Sequence, residues 1–146
     1  MNNPKPSPRY TAIDQIESLV RAFEQCTLPP AQFNHQAHIT VALWYLAHSS
    51  PAEATERMRA GLHRFVTHHG ISPEKYNETI TVFWIKLLRH FLDVKGTDRS
   101  LLDLMNEAIV SLGSMRFVFS HYSKQLVFSA AARQGWVEPD LLPLAF

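Results

Sequence analysis

Cysteine is nearly absent: Cys26 is the only one in 146 residues. A single thiol excludes an intrachain disulfide framework and a cysteine-based zinc site. Glycine is sparse as well, with five in the chain, and the expected place for each is a helix end. Neither sign of charge prevails, since 14 Lys and Arg stand against 13 Asp and Glu. Nucleic-acid binding needs a dense basic face that displaces counterions, so that class of partner is set aside. No apolar run is long enough to span a bilayer, and the start with Pro4, Pro6 and Pro8 is unlike a signal peptide. The expectation is therefore no membrane association and a cytoplasmic location. A nucleophile elbow, a P-loop, a dinucleotide fingerprint, internal repeats and low-complexity stretches are all missing too. The length suits one domain. A chain of this size buries roughly 69% of the surface its unfolded form exposes, enough for a core without covalent staples.

What is present is helical periodicity. Residues 1–10 form a proline-rich segment that cannot bury enough surface to order itself, so a flexible tail is expected before a single helical domain over 11–146. Ile13, Ile16, Val20 and Phe23 mark a first helix from about Thr11 to Cys26, stopped by Pro29 and Pro30. Asn34 is placed to cap a second helix with the stripe Ile39, Ala42, Leu43 and Leu46, ending near Ser49. Ser50, Pro51 and Glu53 give a capping box for a third helix, which carries Ala54, Met58, Leu62 and Phe65 and closes at Gly70. Ser72-Pro73 opens the fourth and most apolar helix, with Ile80, Phe83, Trp84, Leu87, Leu88 and Phe91, expected at the centre. Ser100 and Asp103 start a fifth, which carries Leu102, Met105, Ile109 and Leu112 and closes at Gly113. Phe117 to Tyr122 alternates briefly without a partner strand and is expected as an extended linker. Ser123 caps a last helix to about Gln134. Trp136 to Phe146 is expected as a strap over the core. The predicted fold is all-α, a compact bundle of five to six helices with an extended C-terminal strap.

Polar groups head two of the buried stripes. His35 and His38 are three apart at the start of the second helix, on the face that continues into Ile39, Ala42 and Leu46. The macrodipole disfavours imidazolium there, and two neutral imidazoles on one face suit a divalent metal. The plainer account is a pair of hydrogen-bonded histidines at the core edge. Tyr76 and Asn77 extend the Ile80 and Trp84 stripe backward, with Glu78 and Thr81 beside them. The plainer account there is ordinary capping, with Asn77 bonded to a neighbouring loop. In an up-down bundle alternate helices run parallel, which brings the starts of the second and fourth helices to one end. His121 joins that end only if the same order holds to the last helix, and otherwise it is a linker histidine. Tyr122 lies beside it. Arg133 with Gln134 offers an anion site, and the plainer account is that it caps the last helix or pairs with Asp140.

Three stretches carry a resemblance: Phe33-Asn34-His35-Gln36-Ala37-His38-Ile39, then Lys75 to Thr81 with Phe83-Trp84, then Tyr122-Ser123 with Leu126, Ser129, Ala132-Arg133 and Pro139-Asp140-Leu141. Together they resemble a family of small bacterial proteins without an established activity, with signatures F-x-H-x-x-H and Y-H-E-T-[IL]-T. The resemblance spans most of the chain after Cys26 and implies a shared pocket but no reaction. Asn77 stands where that family's second signature has histidine, which removes a good metal ligand.

Three functional readings stay open. In the first, a pocket binds a small molecule or supports acid/base chemistry, with His35 and His38 as the acid/base pair, Glu78 as the orienting carboxylate, and Tyr76, Asn77, Thr81 and Tyr122 as ligand-binding groups. In the second, His35, His38 and Glu78 hold iron or zinc, with His121 as a further ligand. The third is a protein-interaction module or homodimer, because charged residues make up only 18% of the chain and leave apolar surface for a partner.

Overall fold

The capping signals act where the sequence puts them. In a computed structural model that describes residues 9–96 and 98–146, α1 (Ile13–Glu24) begins where Gln15 Oε1 takes the Thr11 and Ala12 N–H groups. It ends in a Schellman motif: Thr27 N–H reaches Ala22 C=O and Cys26 N–H reaches Phe23 C=O. The turn needs a left-handed residue, and Cys26 supplies it with φ 59°. The helix thus closes before the two prolines rather than against them. Asn34 caps α2 (His35–His48) by accepting from Ala37 N–H, and Ser50 caps α3 (Pro51–His68) by accepting from Glu53 N–H. Ser100 does the same for α5 (Leu101–Leu112) through Asp103 N–H.

Among the described residues every element is helical and none is a strand. The all-α class holds, with five helices longer than a turn or two and three short ones. No described helix is long and apolar enough to cross a membrane. The tail expected over 1–10 lies outside the described residues up to residue 8. Its end is docked rather than free: Tyr10 is buried, its hydroxyl 2.9 Å from Thr40 Oγ1, and its backbone pairs with the Asn106 amide.

Four expectations are corrected. Ser72-Pro73 opens only a 3-10 turn, Pro73–Lys75, and α4 (Glu78–Lys95) starts later with Asn77 as its cap. Phe117 to Tyr122 is not an extended linker, because α6 (Arg116–His121) covers it and only Tyr122 is extended. The last helix is split into α7 (Lys124–Val127) and α8 (Ala130–Gln134), each capped by its own serine, Ser123 and Ser129. Gly61 is not at a helix end. It lies within α3, where an added Cβ would stand 2.6 Å from the Phe23 ring.

Two helices share the centre. α4 packs on α2, α3, α5 and α8, while α2 packs on α1, α3, α4 and α5. α2 is buried on nearly all sides, from Ala37 through Leu46, as an element with apolar residues around its whole circumference must be. The strap lies across the α4 side of the core. Phe146 packs against Phe83 and His90, and the Leu141 N–H bonds to His121 C=O.

Candidate functional site

The starts of α2 and α4 do meet, and α3 closes the third side. Between them lies a cavity of about 400 Å³ lined by His35, His38, Tyr76, Asn77 and Thr81. Apolar side chains form most of the wall: Phe33, Ile39 and Ala42 from the α2 side, Met58, Leu62 and Phe65 from α3, and Ile80 and Trp84 from α4. Pro30, Val66, Ile71, Met115 and the exposed Lys75 complete it.

The imidazoles are held by rings rather than by carboxylates. His38 stacks on Phe33 with centroids 4.0 Å apart and planes 16° from parallel. His35 meets Trp84 edge-on at 4.6 Å. Burial penalises the imidazolium form, so the His38 pKa falls to about 4, with the nearby His35 adding to the effect. The His35 pKa is also lowered by burial, offset in part by the nearby Leu112 backbone. Both rings are therefore neutral at pH 7. His35 Nε2 and Trp84 Nε1 are buried without a hydrogen-bond partner.

The polar groups along α4 are already engaged. Asn77 Oδ1 accepts from Ile80 N–H and its Nδ2 donates to Val127 C=O at 2.7 Å. Asn77 is thus a helix cap that ties α4 to the C-terminal segment. The Thr81 hydroxyl donates back to Asn77 C=O. The Tyr76 hydroxyl donates to Glu78 Oε1, and burial together with that bond pushes its pKa up.

Glu78 is not on the histidine wall. It lines a second, more open cavity of about 790 Å³ with Arg59, His63 and Arg133. There Arg59 grips it with two parallel bonds, Nε to Oε1 at 2.9 Å and Nη2 to Oε2. The guanidinium holds the Glu78 pKa below the usual carboxylate range. The carboxylate expected to orient His35 and His38 therefore serves a different neighbour. Only Tyr76 lines both cavities.

Two other expected members stand elsewhere. His121 Nδ1 is 2.8 Å from Leu142 O, and its ring packs on Phe83 and Phe146. Tyr122 is fully buried and donates to Val137 C=O at 2.6 Å, so it anchors the strap. Arg133 reaches Glu74 C=O, while Asp140 takes the Ser123 N–H in place of the expected arginine. Among the described residues no three His, Cys, Asp or Glu side chains group so as to hold a metal ion. The proposed ligand set of His35, His38 and Glu78 does not fit one, since Glu78 is committed to Arg59.

Sequence reasoning missed the α3 wall and the Arg59 partner. Met58, Leu62 and Phe65 were legible as a buried stripe, but periodicity carries no mark that separates a cavity wall from a filled core. Comparison with protein-family models, with curated proteins and with solved structures finds no match. The resemblance to a bacterial family therefore rests on the quoted motifs alone.

Proposed function

We propose that this chain binds a small, uncharged and largely apolar molecule in the cavity between α2, α3 and α4. One observation carries the reading: a cavity of about 400 Å³ walled by apolar side chains, with two neutral imidazoles at one side and no carboxylate in its lining. Concave apolar sites with a few convergent polar groups are the usual form of small-molecule sites. The acid/base version of the reading has less support. A histidine whose pKa falls to about 4 is a weak base at neutral pH, and the carboxylate that would raise its basicity is turned toward Arg59.

A neutral fluorescent probe, N-phenyl-1-naphthylamine, tests this by titration. The wild-type chain should enhance its emission saturably. Ile80→Trp places a large ring at a half-buried position of the wall and should abolish the enhancement while the thermal unfolding midpoint stays close to wild type. Undiminished probe binding by a folded Ile80→Trp protein would overturn the proposal.

A further inference from the structure

We propose that the ligand of this cavity carries a single hydroxyl group on an apolar ring body, with the hydroxyl bridging His35 Nε2 and Trp84 Nε1. The proposal rests on the cavity reading above and deepens it to a chemical class, an uncharged phenol or ring alcohol.

Both side chains belong to the cavity wall. Their rings meet at 4.6 Å with planes 61° apart, so the two side chains are neighbours in that wall. Neither nitrogen is open to a water molecule as the rings stand, so both rings turn to meet a bridging group. Each carries a buried ring nitrogen without a partner. A buried polar atom left unpaired is costly, so such a pair in one wall is expected to be satisfied from within the cavity.

Indole Nε1–H can only donate. The neutral His35 imidazole presents at Nε2 either a lone pair or an N–H, according to its tautomer. The histidine ring torsion is broad, so a modest rotation brings Nε2 onto an incoming group.

A hydroxyl fits either form: it takes the Trp84 N–H on one lone pair and gives its proton to Nε2, or takes an Nε2–H on its second lone pair. A ketone serves both rings in one tautomer only, and an ammonium leaves the Trp84 N–H unpaired. A carboxylate has no proton for a neutral imidazole. Among the lining residues Lys75 alone bears a fixed charge, and it is exposed. The rings of Phe33 and Phe65 in the same wall favour a flat body by offset or edge contact.

Three probes with one skeleton separate the possibilities: naphthalene, 2-naphthol and 2-naphthoate. Each is titrated into ¹⁵N-labelled protein, with the indole N–H signals of Trp44, Trp84 and Trp136 as reporters. 2-Naphthol should bind about tenfold tighter than naphthalene, the worth of one to two added hydrogen bonds. It should move the Trp84 signal and leave the other two in place. Trp84→Phe and His35→Phe should each bring the two affinities to within about twofold, with naphthalene binding retained as proof that the cavity persists. Equal affinity of naphthalene and 2-naphthol for the wild-type chain would overturn the hydroxyl assignment and leave the cavity reading standing. Preference for 2-naphthoate would overturn it in favour of an anionic ligand. Failure of all three to bind would remove the cavity reading, and this proposal with it.

Discussion

His38 shows how a single ring couples the cavity to stability. Its imidazole titrates near 6.5 in an unfolded chain and at about 4 in the fold. The unfolded state takes up the proton first. The contribution is therefore intact above pH 6.5 and is lost as pH falls toward 4. A difference of that size corresponds to about 3 kcal/mol. His38→Phe keeps the stack on Phe33 and removes the titration, so its unfolding midpoint should fall distinctly less than wild type between pH 7 and pH 4.5. Equal acid sensitivity in the two proteins would contradict this assignment. Glu78 makes the opposite point. Glu78→Gln leaves Arg59 half-paired at a partly buried site, with an expected cost of about 1–2 kcal/mol. Probe affinity should stay within about twofold of wild type, whereas a carboxylate that oriented the histidines would take binding with it. At this scale the sequence was informative but ambiguous. Asn77 stood out as a polar residue on an inward stripe; it lines the cavity and also caps α4 while bonding to a neighbouring segment. Which side of α4 Glu78 takes was not legible, because Arg59 lies nineteen residues away on another helix.

At the scale of elements, local chemistry and packing divide the work. Asn34, Ser50 and Ser100 start their helices as the sequence indicates, because a cap depends only on residues within one turn. α6 was missed because six residues cannot distinguish a two-residue period from a helical one, and Val118 decides the matter by burying fully in the core. The break between α7 and α8 escaped for a related reason: Ser129 reads as a mid-helix residue until its hydroxyl is seen accepting from Ala132 N–H. Gly61 carries the sharpest test at this scale. Alanine normally favours a helix interior by about 1 kcal/mol over glycine. Here the new methyl meets the Phe23 ring, which itself packs on Phe33 and Phe65 behind the cavity. Gly61→Ala should therefore destabilise the protein by about 1–3 kcal/mol in denaturant unfolding and weaken probe binding. A stabilised variant would show that the ring yields without cost.

At the scale of the whole molecule, topology creates the site. The heads of α2 and α4 share an end and line one cavity, as the parallel run of alternate helices in an up-down bundle led one to expect. The void itself did not follow from that order, because it depends on how side chains from three helices fail to fill the space between them. The strap completes the opposite side. Phe146 covers Phe83 and His121, so Phe146→Ala should cost about 1–2 kcal/mol while leaving probe affinity unchanged, read by parallel unfolding and titration experiments. The central claim, a ligand lodged between α2, α3 and α4, is tested most directly by its methionines. Met58 and Met115 line the cavity, whereas Met105 is buried in the core outside it. In protein labelled at the methionine methyls, N-phenyl-1-naphthylamine should shift the Met58 and Met115 signals saturably and leave Met105 in place. Unmoved Met58 and Met115 signals at saturating probe would place the bound molecule elsewhere and contradict the account.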